Sequence, residues 1–182
     1  MAIARLLTAE DLEEMGSDAK RFELYDGVLW EKDAMGGQHG EIEIQLTRYL
    51  APHVLDRRLG RLYPSDAHFI ILRNPDKVVM PDLAFVRTDR LPPETARVGF
   101  MPVVPDFVVE VVSPSDRTVA VIEKIRLYER AGVALIWLVQ PRTRSVTVYI
   151  LGQEPRTLHE GDTLDGGDVI TGFQLSVADV FR

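Results

Sequence analysis

Two apolar runs joined through one amphipathic stretch constrain this chain more than any other feature. Residues 105–114 read PDFVVEVVSP and residues 133–141 read VALIWLVQP. Both have the composition of strands buried on both faces, the mark of parallel strands covered by helices. Between them, SDRTVAVIEKIRLYERAG predicts a helix with Ser115 or Asp116 as its N-cap and Gly132 as its stop. Two strands joined through a helix read as a parallel pair with a right-handed crossover. The expected fold class is α/β or α+β, a mixed central sheet with helices on its faces.

The rest of the chain fits around that unit. TAEDLEEMG reads as a short helix that starts near Thr8 and ends at Gly16. RFELYDGVLWEK alternates about Asp26-Gly27, a hairpin signal, with strands from Arg21 to Tyr25 and Val28 to Lys32. GGQHGEIEIQLTRYLAPHVLDRR reads as a long helix, kinked at Pro52, with Ile42, Leu46, Tyr49, Leu50 and Val54 on one stripe. AHFIILR and KVVMPDLAFVR read as two paired strands turned by Asn74-Pro75-Asp76, and the Pro-rich residues 89–105 as an exposed loop. RSVTVYI reads as a further strand. The tail reads as short strands and turns, ending in an apolar turn at Val177, Val180 and Phe181. A chain of 182 residues, 46 % apolar and without repeats or linkers, fits a single domain over 1–182.

The composition excludes several chemistries. With no cysteine there is no disulfide, thiolate nucleophile or zinc-thiolate site. No apolar run approaches the roughly 18 residues of a membrane span. The first residues lack a signal peptide's pattern, so a cytoplasmic protein is expected. A net charge of −7 argues against gripping nucleic acid by bulk electrostatics, although a local basic patch remains compatible with it.

The acids within the apolar runs carry the functional signal. Glu110 interrupts FVVEVV, and Asp82 interrupts VVMPDLAFV. A carboxylate in such surroundings is costly unless something pairs with it. Two near each other repel, and a hard divalent cation such as Mg²⁺ resolves that cost. Strand alternation puts Glu110 with Val108 and Val112, and Phe107, Val109 and Val111 on an opposite face that looks like core. A lysine two residues after the glutamate would share its face, but position 112 is Val. The nearest candidate is Lys124, on the edge of the helix's apolar stripe beside Val121, Ile125 and Leu127 and one helical step from Tyr128.

Pro81-Asp82, then Glu110 on the next long strand, then a lysine, resembles the PD-(D/E)XK nuclease superfamily. The order EVVSPSD, Lys124 with Tyr128, and GVALIWLV resembles more closely a large bacterial family of uncharacterised restriction endonucleases, in which the motif lysine has moved from strand to helix. FELYDG and GGQHG also look like its members, and the likeness runs from about Thr8 to Tyr149. Ala120 and Gln140 depart from it, standing where members often carry Asp.

The resemblance implies a restriction-endonuclease-like core and a metal-dependent endonuclease acting on DNA. Asp82 and Glu110 would ligate Mg²⁺ or Mn²⁺, with Glu23 as an added acid at the metal. Lys124 would position or help deprotonate the attacking water, and His39 would lie near enough to touch substrate or metal. The reaction would be in-line attack of metal-activated water on a phosphodiester. Cutting both strands would call for a homodimer, with RSVTVYI and the tail as candidate interface.

Each residue also has a plainer reading. Glu110 could pair with an arginine, Asp82 could make an Asx turn after Pro81, Lys124 could be a solvated helix lysine, and His39 a helix cap. Glu23 could be a surface residue of the hairpin. His53, His68 and His159 show no ligand spacing, and the Arg57-Arg58-Arg61 cluster reads as a solvated helix end. Arg126, Arg130, Arg142 and Arg144 are similarly ambiguous. Trp30 and Trp137 read as core. Two further functions stand beside the nuclease: a nuclease-fold binding or scaffold module with little turnover, and a metal hydrolase of small phosphate esters.

Overall fold

The computed structural model describes residues 5–32 and 36–182. Thr8 opens α1 (Ala9–Glu13) through a capping box, its hydroxyl accepting from the Asp11 N–H while its own N–H donates to the Asp11 carboxylate. The expected stop at Gly16 instead begins a 3₁₀ turn, Gly16–Arg21. The hairpin follows as β1 (Phe22–Tyr25) and β2 (Val28–Glu31). Asp26 and Gly27 both have positive φ, 52° and 78°, the conformation that lets a two-residue turn match the strand twist. The long helix is α2 (Gly37–Asp56), which continues through Pro52 and buries Ile42, Leu46, Leu50 and Val54. Then come β3 (Gly60–Pro64), β4 (Phe69–Leu72), β5 (Lys77–Val79) and β6 (Leu83–Arg87).

The strand–helix–strand unit is β7 (Phe107–Val111), α3 (Thr118–Ala131) and β8 (Leu135–Gln140). β7 and β8 pair in parallel, Glu110 lying opposite Leu138. Gly132 ends α3 with φ 88°, a left-handed cap that costs glycine nothing. β9 (Ser145–Ile150), β10 (Arg156–Leu158), β11 (Thr163–Asp165), β12 (Gln174–Ser176) and α4 (Val177–Val180) complete the chain.

The fold is mixed α+β. A six-stranded sheet runs β10-β9-β8-β7-β6-β3, antiparallel except for β7 and β8. On one face, Phe107, Val109, Val111 and Trp137 pack with α2, β12 and α4. Trp137 is wholly buried and meets Phe107 edge-on at 4.8 Å. On the other face, Val108 and Ile136 pack beneath Ile125, Leu127 and Tyr128 of α3. A smaller antiparallel sheet, β2-β1-β5-β4, carries the hairpin.

Several elements differ from expectation. KVVMPDLAFVR is not one strand: it breaks at Pro81-Asp82, so β5 joins the small sheet and β6 the large one. Proline has no N–H to give a ladder, which ends β5 where it does. β3 holds Arg61, which reads as part of a solvated helix end, in a strand of the large sheet. α3 starts later than expected, with Arg117 at its N-cap and no side-chain cap. Asp116 instead accepts from the Ser113 N–H at 2.7 Å. RSVTVYI and the tail are consumed inside the chain: Val146, Val148, Leu175, Val177 and Val180 belong to the main core. Trp137 is core as read, but Trp30 is 52 % exposed.

Candidate active site

The break at Pro81 sets Asp82 between the two sheets, at the base of a cleft of about 510 Å³. Glu23, Lys32, His39, Asp82, Glu110 and Lys124 all line it. The sequence-predicted residues therefore converge, but in two distinct groups.

In the first group, Asp82 is 2 % exposed. Its Oδ2 accepts from the Val111 N–H at 2.8 Å, and its Oδ1 from Lys32 Nζ at 3.0 Å. Lys32 also donates to the Met80 carbonyl at 3.0 Å. His39, on the first turn of α2, brings Nε2 within 3.0 Å of Asp82 Oδ2 and 3.1 Å of Glu43 Oε1. Neither contact is aligned as a hydrogen bond, and both His39 Nε2 and Glu43 Oε1 are buried with no hydrogen-bond partner. On the far side of the ring, Nδ1 lies 3.3 Å from Ser113 Oγ, which orients the imidazole. Burial works against a charged imidazole, but the adjacent Asp82 and Glu43 outweigh it and raise His39 to about 9. Burial would raise Asp82, but His39, Lys32 and Lys124 hold it far below the usual carboxylate range.

In the second group, Lys124 reaches from α3 into the cleft, its side chain 17 % exposed. It lies 3.0 Å from Glu23 Oε1 and 3.0 Å from Glu110 Oε2. Tyr128, one turn on, donates to Glu110 Oε1 at 2.6 Å. Glu23 accepts from the Met80 N–H at 2.7 Å and from the Tyr25 hydroxyl at 2.7 Å. Burial pushes Glu110 up to about 7 against the pull of Lys124, and the charge on Asp82 adds to the rise. Burial would depress Lys124, but Glu110 and Glu23 raise it well above its ordinary value, so it stays an ammonium.

The two groups divide the expected roles. Asp82, His39 and Glu43 each offer one ligand atom, all within 4.8 Å of one another. Cis ligands of an octahedral cation at ~2.1 Å stand about 3.0 Å apart, which matches the spacings of 3.0 and 3.1 Å at His39 Nε2. Together with the two unpartnered buried atoms, this donor set fits a divalent cation. Glu23 and Glu110 turn instead toward Lys124. Glu43 and Lys32 were not singled out in the sequence. Glu43 was signalled by its spacing, four residues after His39 on one helix face. Lys32 follows a two-residue hairpin and carried no comparable sign.

The family described as "Uma2: Putative restriction endonuclease" matches residues 9–178. The chain also superimposes on a crystal structure from Anabaena variabilis, described as a putative nuclease belonging to DUF820. The TM-score is 0.82 at 20 % identity, over 96 % of this chain and 97 % of that one. That likeness is one of fold. No curated protein matches the sequence.

Proposed function

We propose that this chain, which belongs to the Uma2 family of putative restriction endonucleases, is an endonuclease that hydrolyses DNA phosphodiester bonds with the help of a divalent cation. The observation that carries the reading is the convergence of His39 Nε2, Glu43 Oε1 and Asp82 Oδ2, with the ring nitrogen 3.1 and 3.0 Å from the two carboxylate oxygens and neither contact aligned as a hydrogen bond. A cation bound there would take the place of the imidazole proton between the two carboxylates. His39, Glu43 and Asp82 would hold it. One imidazole with two carboxylates suits Mn²⁺ better than Mg²⁺, which prefers oxygen alone. Bound there, the ion would polarise a phosphate and acidify a water.

The chain's own residues supply the rest. Lys124, kept as an ammonium by Glu23 and Glu110, is a donor to the charge that develops on the phosphate and not a base. Glu110, near 7, can take up and release a proton at neutral pH and is the candidate base for the attacking water. Tyr128 and Lys124 fix its carboxylate. Scission of both duplex strands would take two copies, each contributing one such centre.

A second reading is a binding module of the same fold with little turnover. It is favoured by the closure of Glu23 and Glu110 on Lys124. Incubation with supercoiled plasmid in Mn²⁺ or Mg²⁺, beside Asp82→Ala, decides between them. Nicking lost in the variant supports the endonuclease. No nicking in either ion, with Mn²⁺ binding intact, supports the binding module.

A further inference from the structure

The geometry points to a single-stranded DNA segment as the occupant of the cleft mouth, one unstacked base lying on Trp30 and the neighbouring phosphates meeting Arg126 and Arg130. This deepens the endonuclease reading and rests on it. In the β1–β2 register Trp30 lies directly opposite Glu23, and Val28 opposite Tyr25. Directly opposed residues project from the same side of a hairpin, as do residues two apart along a strand. Val28 and Trp30 therefore line the face that carries Glu23. Lys32, two residues further on, holds Asp82. Trp30 thus stands about 6–7 Å along the backbone from Lys32, whose side chain reaches Asp82 at the base of the cleft.

The indole is held for contact. Tyr25 meets it edge-on, with centroids 6.1 Å apart and planes at 77°, and is itself tied to Glu23 by its hydroxyl at 2.7 Å. Its orientation is thereby linked to the site, while 52 % of the residue remains open to solvent. Across the cleft, Val112, Ala120 and Val121 supply apolar lining. Arg126 and Arg130 lie one turn apart on α3, both exposed and both lining the cleft. Neither makes an ion pair among the described residues, whereas Arg73, Arg90 and Arg144 are each paired with an acid.

An aromatic platform with a short cationic flank is the recognition chemistry of unpaired bases, since every base has a face to stack. Duplex binding draws instead on many neutralised phosphates. A chain of net charge −7, with these two unpaired guanidiniums at the cleft, is poorly made for that. One strand also needs only one centre, so a single copy of the chain suffices.

The test is binding without divalent cation, in EDTA, of the full chain to a fluorescently labelled 12-nucleotide oligo(dT) and to a blunt 12-base-pair duplex. Tryptophan emission is read in parallel. Trp137 is fully buried, so quenching by a stacked base reports Trp30. The single strand is expected to bind at least about tenfold more tightly than the duplex and to quench. Trp30→Ala should weaken it at least about tenfold, while Trp30→Phe, which keeps a stacking face, stays near wild type. Arg126→Gln with Arg130→Gln should flatten the salt dependence by about one and a half logarithmic units per decade of salt.

Equal binding of duplex and single strand, an unchanged Trp30→Ala, or binding of neither oligonucleotide would each overturn the inference. Plasmid nicking that Trp30→Ala leaves intact but Asp82→Ala abolishes would remove the single strand and leave the endonuclease standing. If the wild type binds neither oligonucleotide and cuts neither the plasmid nor a single-stranded circle in Mn²⁺, both fall.

Discussion

The two halves of the cleft hold the same kinds of side chain and treat them in opposite ways. Around Lys124, every oxygen of Glu23 and Glu110 has an aligned donor or an ammonium beside it. Around His39, two buried ligand atoms converge on Asp82 without alignment. A finished network stabilises what it contains and leaves little affinity for a newcomer. An unfinished one stores an uncompensated cost that a ligand can relieve. On the proposed reading, the His39 half receives the cation, while the Lys124 half holds its own side chains in place for the donor and base roles given to Lys124 and Glu110.

Asp82 touches both Lys32 and His39, so its loss should have the largest effect. In Asp82→Ala, plasmid nicking in Mn²⁺ is expected to fall to the level of a protein-free control. Nicking retained near the wild-type rate would place the chemistry elsewhere.

The next two variants cross the comparison. Lys124→Met leaves Glu23 and Glu110 facing each other, buried, without their cation. Removing one partner of a buried pair costs about 3–5 kcal/mol. Urea unfolding should show that loss, and show it more at pH 8 than at pH 6, because unpaired carboxyls resist ionisation. Mn²⁺ affinity, by calorimetry, should change little. Glu43→Gln should behave in reverse, with Mn²⁺ affinity down at least about tenfold and a smaller loss of stability than Lys124→Met, since Oε1 sits beside His39 Nε2 without an aligned hydrogen bond. A Lys124→Met protein that loses the metal, or a Glu43→Gln protein that unfolds easily, would erase the distinction between the halves.

The sequence carried the Lys124 half better than the His39 half, for a physical reason. Burial writes itself into composition: an acid inside FVVEVV and a lysine on the edge of an apolar helix stripe are conspicuous because desolvation makes them rare. Asp82 was conspicuous in the same way, although the strand around it was drawn one element too long. Pro81 was the available sign of the break between β5 and β6. Glu43 stands between Ile42, which is buried, and Ile44, which is exposed, and a glutamate there does not announce whether it is a ligand or a solvated residue. Trp30 is not legible as a cleft residue because β2 is an edge strand. Whether an aromatic there faces core or cleft depends on what approaches the hairpin, and that is α3, some ninety positions on in the chain, whose Lys124 meets Glu23. The central parallel pair, the Asp26-Gly27 turn and the Gly132 stop were legible because each is decided by local backbone chemistry.

The smallest expected effect sharpens the comparison by removing a confounder. His68 lies outside the cleft, against the N-terminal turn, stacked on Phe100 at 4.3 Å with its Nε2 3.1 Å from the Ala19 carbonyl. Burial holds its pKa below that of a free imidazole, although the Phe22 and Ala19 carbonyls and the charge on Glu23 pull the other way. The unfolded chain therefore binds the proton more readily than the native one. Stability is fully present above about pH 6.5 and drains as pH falls from there toward the lower folded value. Acid lability of this protein should thus persist when the cleft is altered. In His68→Gln, which keeps a donor for the carbonyl but cannot titrate, the slope of unfolding free energy between pH 7 and pH 5 should flatten, with a loss of about 1 kcal/mol at neutral pH. Glu43→Gln should instead change the pH dependence mainly above pH 6.5, where the stability that the raised His39 pKa provides is lost as pH climbs toward about 9. If His68→Gln keeps the full slope and Glu43→Gln removes it, the acid response belongs to the cleft, and the His39 half is coupled to the fold more tightly than its unfinished contacts imply.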